Sequence, residues 1–385
     1  MNPKIDCDIL IVGGGVAGLS AGIALSKREL NTVLIEKESE IGFKIKGEVI
    51  KKESPIFSEI FGTELPKHVI TNELRERRLY SPSTRKYIDI VHTEPTVTID
   101  YRAFILELFR ELAKTKCNIL LNTELMDIID DKHLPVGGIC SSENQELKIF
   151  AKYFIGADGV HSKFLRLLEP KSEREVFHAL KLNYENLQIP NYRRLELYLM
   201  TDPPGAMWMF PKGPTSGECG LVVWTQDLPN DFDILELWNK KSQENKVLSK
   251  IIENAKPYYI SKDFLNFGGP LKQIFGKKFV LLGDSAGHVG AIGGSGIVSC
   301  ITTGYRIGNF IANALYTKKE VTEGRTQEFM KNFKRSPIQK YLKNEQSLGK
   351  ALRTILFQTF KTAENIDNNW YKLEKMYTAR SSQKK

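Results

Sequence analysis

The chain has 385 residues, of which 41% are hydrophobic, and its formal net charge is +9. This length exceeds that of most compact domains, so we expect two or three structural units. No segment approaches the roughly 18 to 20 continuous apolar residues that a membrane-spanning helix needs, and the N-terminus does not follow the order of a secretory leader. We therefore expect a cytoplasmic protein.

The cysteines argue against a disulfide framework and against a metal site. Five of them are spread along the chain and form no Cys-x-x-Cys pair: Cys7, Cys117, Cys140, Cys219 and Cys300. An odd number at wide spacing favours reduced thiols. We expect no metal.

The positive charge is concentrated near the C-terminus. From Arg325 to Lys385 there are 14 Lys and Arg against 5 Asp and Glu, so residues 1–324 are neutral overall. A basic segment of this kind docks on anionic lipid or forms a solvated helical face. The basic segment is the only feature of the sequence that would support nucleic-acid binding. We therefore expect no nucleic-acid partner.

The most informative stretch is "DCDILIVGGGVAGLSAGIALSKRELNTVLIEKE" near the N-terminus. Its pattern predicts a buried strand, a glycine turn, a helix and a second strand that ends in Glu36. Gly13 would make the turn, Gly15 would admit a pyrophosphate, and Gly18 would let the helix pack on the strand. Glu36 can accept hydrogen bonds from a ribose. With no nearby arginine for a 2′-phosphate, the pattern favours FAD or NAD over NADP, although a ligand-free turn has the same glycines.

Two later motifs repeat the strand-to-glycine pattern. "FIGADGVHS" at 154–162 contains Asp158 and Gly159, and "FVLLGDSAGHVGAIGGSGI" at 279–297 contains Asp284 before a glycine-rich loop. We therefore expect the chain to revisit one sheet three times. In this order the motifs resemble the glutathione-reductase-type FAD proteins of the aromatic hydroxylase branch.

That resemblance implies FAD as the cofactor and suggests roles for particular residues. Asp284 would bind ribityl or ribose hydroxyls, and Gly296 and Ile297 would face the pyrimidine end of the flavin. Arg102 would lie beside the cofactor at the start of a helix that Asp100 caps. The remaining residues assigned to the cofactor are Ala17, Lys37, Gly47, Leu125, Asp158 and Gly159.

Residues 175–270 alternate in the manner of antiparallel strands, with a helix near 231–256. Within them, "AMWMFP" at 206–211 would place Trp208 and Phe210 on one face and Met207 and Met209 on the other. A strand that is apolar on both faces is often simply buried.

A closer resemblance, to the geranylgeranyl reductase family, gives this stretch a function. That family carries P-x-x-Y-x-W-x-F-P followed by G-x-G, and the matching residues here are Pro203, Trp208, Phe210, Pro211 and Gly220. The tyrosine position is Ala206 and the last glycine is Val222. In the family's K-x-C-G segment the cysteine position is Lys46.

The resemblance implies a flavin-dependent reductase that saturates C=C bonds of a polyprenyl lipid. It suggests a substrate site of Lys46, Glu48, Trp208, Phe210 and Pro211, with Lys46 and Glu48 as exposed charges. No catalytic residue is assigned. Since no second G-x-G-x-x-G is present, electrons would come from a ferredoxin-like carrier or a transiently bound NAD(P)H. The alternatives are a flavin monooxygenase of the hydroxylase or halogenase type and a non-catalytic prenyl-lipid carrier.

The predicted fold is α/β, with a Rossmann-like FAD-binding domain, an inserted antiparallel-sheet substrate domain and a C-terminal helical extension. We expect the FAD-binding domain at 1–170 and 271–320, the substrate domain at 171–270, and a basic helical region at 321–385. That last region has an apolar stripe (Leu348, Leu352, Ile355, Leu356, Phe360) broken near Pro337. It could cover the substrate trough, lie peripherally on the inner membrane face, or pack as core.

Overall fold

The computed structural model describes residues 3–44, 46–168, 176–225, 228–229, 231–317 and 321–375. The strands, in chain order, are β1 (Lys4–Val12), β2 (Thr32–Ile35), β3 (Val49–Lys51), β4 (Ile70–Tyr80), β5 (Tyr87–Ile99), β6 (Asn118–Leu120), β7 (Thr123–Asp131), β8 (Leu134–Ser142), β9 (Gln145–Gly156), β10 (Val176–Glu185), β11 (Arg194–Thr201), β12 (Pro204–Pro211), β13 (Gly217–Trp224), β14 (Lys256–Asn266), β15 (Phe275–Gly276) and β16 (Phe279–Leu281). The α-helices are α1 (Val16–Ser26), α2 (Pro55–Phe61), α3 (Tyr101–Ala113), α4 (Lys163–Leu168), α5 (Ile234–Glu244), α6 (Leu248–Ile252), α7 (Ile297–Tyr316), α8 (Glu323–Phe333), α9 (Pro337–Arg353) and α10 (Ala363–Asn368).

The first sheet has a parallel core in the order β16–β9–β1–β2–β6. The second half of β1, from Ile9 to Val12, and β2 from Val33 to Ile35 are buried aliphatic runs, which is typical of parallel strands that are covered on both faces. In the pairing register Val12 lies beside Gly156, and Gly156 lies beside Leu281. The three glycine motifs therefore leave the sheet side by side, which confirms the prediction of one sheet visited three times.

Helices α1 and α7 pack closely because small residues line their contact. A Cβ added at Gly304 of α7 would lie 2.5 Å from the backbone oxygen of Ala17. One turn later, a Cβ at Gly308 would lie 2.9 Å from the oxygen of Ala21. This contact brings the N-terminal helix of the first motif against the helix that follows the third.

The second sheet has the order β14–β10–β13–β12–β11–β4–β5–β3 and is antiparallel except where β11 pairs with β4. The prediction of antiparallel strands in 175–270 is confirmed. The predicted boundary needs a correction, because β3, β4 and β5 also belong to this sheet although they precede residue 170. Charged residues interrupt the apolar alternation of "ITNELRERRLY", and pairing between distant strands leaves no local signal in the sequence.

The two faces of the second sheet pack against different partners. Met207 and Met209 are buried in a core that includes Trp238 of α5. Trp208 and Phe210 point to the opposite face and are only half-buried. The predicted alternation along β12 is therefore correct, and its aromatic face is the more accessible one.

The apolar stripe of the C-terminal region packs as core. Leu352 of α9 and Leu356 of the following π-helical turn (Thr354–Phe360) join a cluster with Leu79 and Ile88 of the second sheet. Pro337 is in the first turn of α9, where Ser336 accepts a hydrogen bond from the Gln339 N–H as the N-cap. The proline therefore starts this helix. Among the described helices, none has both the length and the apolarity needed to cross a membrane.

The close contact of α1 with α7 should make Gly304→Ala destabilising. The new methyl group would displace the backbone at Ala17, so we expect the free energy of unfolding to fall by about 1–3 kcal/mol. Gly324→Ala in α8 is the matched control, because no atom of the described residues lies within 4 Å of the place where its Cβ would be. There the gain in helix propensity should raise stability by up to about 1 kcal/mol. Urea unfolding followed by circular dichroism measures both, and equal effects would contradict the packing argument.

Candidate active site

The turn between β1 and α1 leaves the first N–H groups of α1 facing open space. Gly13 has a φ of +109°, and a Cβ there would lie 2.4 Å from the Ala157 oxygen. A Cβ at Gly18 would lie 2.0 Å from the Gly13 oxygen, so the helix packs directly on the turn. By contrast, a Cβ added at Gly15 would meet no atom of the described residues within 4 Å, and no side chain caps the helix. This geometry fits a pyrophosphate at a helix N-terminus.

Glu36 is held at the end of β2 by two backbone donors. Its Oε2 accepts a hydrogen bond of 2.7 Å from the Gly14 N–H, and its Oε1 accepts one of 3.0 Å from the Glu38 N–H. The carboxylate is half-buried beside the glycine turn. It therefore has the position that ribose recognition requires.

Three other residues predicted at the cofactor have different surroundings. Arg102 is exposed at the start of α3 and pairs with Glu40 at 2.7 Å, while Asp100 caps the helix as predicted. Lys37 lies in solvent, with Glu38 at 3.9 Å. The side chain of Leu125 is buried in the first core.

Asp158 and Gly159 form the turn between β9 and α4. The Asp158 Oδ2 accepts a hydrogen bond of 2.9 Å from the Phe164 N–H, and Gly159 has a φ of +84°. Burial raises the pKa of Asp158 above its ordinary value. Its Oδ1 is buried and has no hydrogen-bond partner among the described residues, so it is placed to accept from a ligand.

Asp284 adjoins the N-terminus of α7. Its Oδ1 lies 3.8 Å from the Cys300 Sγ, and it is 3.9 Å from the place that a Cβ would take on Gly296, the N-cap residue. No side chain caps α7 among the described residues, and Ile297 is the first residue of the helix. An acidic acceptor and a second helix N-terminus without a side-chain cap therefore lie together.

Helix α9 holds the glycine-rich loop between Asp284 and α7. The Tyr341 hydroxyl is 2.7 Å from the Ser295 Oγ, and the Arg353 guanidinium donates to the Ala291 oxygen at 3.0 Å. The C-terminal helices thus cover the loop that the third motif contributes.

Lys46 connects the two sheets. Its ammonium group pairs with Asp263 of β14 and lies 3.8 Å from the Asp284 Oδ2. Although burial opposes the charged form, Asp284 and Asp263 raise the pKa of Lys46 above its ordinary value. Gly47, which follows it, is exposed. The lysine therefore carries a fixed positive charge beside the predicted flavin motif.

A cluster of four charged side chains, which we call the carboxylate cluster, lies next to Lys46. Lys181 Nζ is 3.1 Å from Glu48 Oε2, 2.9 Å from Glu218 Oε2 and 2.6 Å from the backbone oxygen of Lys46. Lys212 Nζ is 2.7 Å from Glu48 Oε2. The prediction that Glu48 is an exposed charge was wrong, because it is 1% exposed. Burial, with the nearby Glu48 charge, raises the pKa of Glu218 to about 7.

The aromatic wall, formed by Trp208 and Phe210, stands over this cluster. The two rings stack with centroids 5.9 Å apart, and the indole N–H donates to Glu218 Oε1 at 2.8 Å. The indole lies flat over β13 because Gly220 has no side chain; a Cβ there would be 2.4 Å from the ring. Pro211 contributes its carbonyl, which accepts from the Thr98 hydroxyl at 2.8 Å.

The sequence analysis missed Lys181, Lys212 and Glu218. A signal was present, since Lys181 interrupts the apolar strand "VFHALKLNYE" and Glu218 begins the apolar run of β13. A charged residue inside a buried strand needs a partner, and partners from distant strands cannot be identified from one sequence.

Comparison with known proteins identifies the family. The family model described as "FAD binding domain" matches residues 6–319. The chain belongs to this family. FAD is therefore its cofactor. The groups that fit FAD are the N-termini of α1 and α7, which no side chain caps, and the carboxylates of Glu36 and Asp284.

Relatives agree with the closer resemblance seen in the motifs. The digeranylgeranylglycerophospholipid reductase of Thermoplasma volcanium is 28% identical over 314 residues, which cover 77% of this chain and 76% of that protein. The enzyme of the same name from Methanocaldococcus jannaschii is 25% identical, with 80% and 77% covered. A solved structure of a geranylgeranyl bacteriochlorophyll reductase-like protein from Thermoplasma acidophilum has the same fold, with a TM-score of 0.79, 22% identity and coverage of 91% and 88%.

Flavin binding should depend on Glu36. Glu36→Ala removes the acceptor from the glycine turn, so the affinity of the apoprotein for FAD should fall by roughly 10- to 100-fold, as expected for hydrogen bonds to a charged group. Glu38→Ala is the control, since Glu38 contributes its backbone N–H there and that group is unchanged. Titration of apoprotein with FAD, followed by flavin fluorescence, measures both. Equal affinities would exclude the assigned role of Glu36.

Proposed function

We propose that this FAD-dependent oxidoreductase saturates C=C bonds in the geranylgeranyl chains of an isoprenoid glycerophospholipid. The observation that carries the proposal is a continuous set of contacts from the aromatic wall to the flavin motif. Trp208 donates to Glu218, Glu218 pairs with Lys181, and Lys181 donates to the backbone of Lys46. Lys46 then approaches Asp284. The names of the relatives supply the substrate class.

The substrate chain would lie between the second sheet and the C-terminal helices. The chain would contact the aromatic wall, apolar residues of β11, and the stripe of the C-terminal region that packs against this face of the sheet. The bordering apolar residues are Leu197, Leu199, Ile292, Leu352 and Leu356. Aromatic rings and branched aliphatic side chains suit a kinked, apolar polyprenyl chain. Lys46 would lie near its reacting end, with Glu48 buried behind the aromatic wall, and Pro211 would fix the end of β12 through its carbonyl.

Reduced FAD supplies a hydride when it is bound, and the protein must supply position and a dry site. An isolated alkene has no carbonyl group to polarise, so alignment and exclusion of water account for most of the assistance that the protein can give. The aromatic wall would orient the chain, and α9 would keep the glycine loop closed over it.

We propose further that an external donor, a ferredoxin-like carrier or NAD(P)H, reduces the flavin. The described residues hold one glycine turn of the dinucleotide type, and FAD takes that turn.

We also propose that the basic C-terminal region contacts anionic lipid on the cytoplasmic face of the membrane, where the substrate resides. Residues 3–44, 46–48, 100–168 and 271–317 would form the FAD-binding part, with the second sheet as the substrate part.

An anaerobic assay tests the function. The purified protein is reduced with dithionite, a digeranylgeranylated glycerophospholipid is added in detergent, and flavin reoxidation is followed together with the mass of the lipid. We expect reoxidation with a gain of two hydrogens for each bond reduced. If the flavin stays reduced until oxygen is admitted, the protein is not a reductase of this lipid, and a monooxygenase activity becomes the better explanation.

Truncation of the aromatic wall should affect lipid binding more than flavin binding. Trp208→Ala removes the largest apolar surface of the wall, so KM for the lipid should rise roughly 10- to 100-fold, equivalent to about 1.4–2.8 kcal/mol. Met207→Leu, on the buried face of the same strand, conserves volume and should leave KM nearly unchanged. Steady-state rates with a chemical electron donor give KM for the lipid in each variant, and the flavin spectrum reports whether FAD is still bound. An unchanged KM in Trp208→Ala would remove the wall from the substrate site.

A further inference from the structure

The carboxylate cluster contains two acidic groups that share one cation. Glu48 Oε2 and Glu218 Oε2 approach the same Lys181 ammonium, at 3.1 and 2.9 Å. The side chains of Glu48, Lys181 and Glu218 are 8% exposed or less, and Lys212 is 12% exposed. Two carboxylates this close and this deeply buried repel each other unless a proton or a cation lies between them.

The charges of the cluster favour one bound proton near neutral pH. Burial and then the charge of Glu48 raise the pKa of Glu218, whereas Lys181 and Lys212 lower that of Glu48 although burial opposes them. A proton bound by the pair is therefore favoured on Glu218 over Glu48. When the proton leaves, two carboxylates balance two ammonium groups, so the cluster tolerates both states.

The other groups around the pair do not replace it as a proton source. Asn183 of β10 lies opposite Glu218 in the strand register and does not titrate. Burial, with Glu185 and Glu48, raises the pKa of Tyr258 of β14, so its hydroxyl stays neutral. Beyond Lys181, the Lys46 ammonium pairs with Asp263 and approaches Asp284, so one cation lies between these two carboxylates.

The pair has Lys212 at one end and the aromatic wall at the other. Lys212, the most exposed member of the cluster, contacts Glu48. Glu218 lies opposite Phe210 in the strand register and accepts the indole N–H of Trp208. Its carboxyl group is therefore one side chain away from the surface that the substrate chain would contact.

We infer that the Glu48–Glu218 pair stores the proton that completes reduction of the alkene, an inference that rests on the proposed function. A hydride from reduced FAD, carrying two electrons, would form one new C–H bond as the π bond breaks. The proton of the Glu218 carboxyl, passed across the aromatic wall by a water molecule, would form the second C–H bond at the other carbon and leave a carboxylate. Water would restore the proton through Glu48 on the Lys212 side. Glu218 is thus a positioning residue for the proton, held behind Trp208.

The test compares Glu218→Gln with Glu196→Gln in the FAD-loaded protein. Glu196 is the matched control, since it is 1% exposed and paired with Arg194 at 3.0 Å on the opposite face of the same sheet. Single-turnover reoxidation by the lipid is measured from pH 5.5 to 9. A proton-donating carboxyl is active below its pKa, so the wild-type rate should fall as pH rises through about 7. Glu218→Gln should lower the rate by at least about 100-fold and abolish this dependence, and Glu196→Gln should preserve it.

Infrared spectra of the same proteins give a readout that does not depend on turnover. The wild type and Glu196→Gln should show a carboxyl C=O band that disappears as pH rises through about 7, and Glu218→Gln should lack it. Glu48→Gln is a second variant, in which loss of the Glu48 charge should move both the band and the rate profile to lower pH.

The outcomes separate this inference from the proposed function. If the wild type leaves the lipid unreduced, both fail. If the wild type reduces the lipid and Glu218→Gln does so equally fast with the same pH profile, only the inference is overturned. Absence of the titrating band from a wild type that reduces the lipid also overturns it.

Discussion

The site depends on the in-register parallel pairing of β16, β9 and β1. Because the three strands end level with one another, the turns that follow them share one edge of the sheet. That edge carries the glycine turn of α1, the Asp158 turn and the Asp284 loop. Close contact of α1 with α7 fixes the third turn relative to the first, and it requires glycine where the two helix backbones meet.

A second constraint is electrostatic and acts between the sheets. Lys46, Asp263 and Asp284 join the loop before β3, the edge strand β14 and the flavin motif. Lys181 extends this network to Glu48 and Glu218 beneath the aromatic wall. Buried charges of this kind add little to stability beyond what apolar residues would give, and removal of one partner is costly. Their presence between a flavin motif and an apolar wall is better explained by chemistry than by folding.

In this chain a lysine stands where the related family has a cysteine. A thiol at that position would be neutral, whereas Lys46 keeps a positive charge between two carboxylates. The substitution therefore changes the charge of the loop before β3. It also ties the loop to β14, a strand of the substrate sheet, so that the flavin part and the substrate part are linked through one side chain.

The sequence by itself determined the cofactor motifs, the alternation of β12 and the presence of a second, antiparallel sheet. These features are local: glycine positions report backbone conformation, and a period of two reports which residues share a face. Only the tertiary structure decided that β3, β4 and β5 join that sheet. It also decided that Glu48 is buried and that Lys181, Lys212 and Glu218 lie in one cluster with it. Such pairings form between segments far apart in the chain, and each partner alone resembles an ordinary surface charge. The C-terminal stripe was ambiguous for the same reason, because its apolar period is equally compatible with a membrane and with the core that it joins.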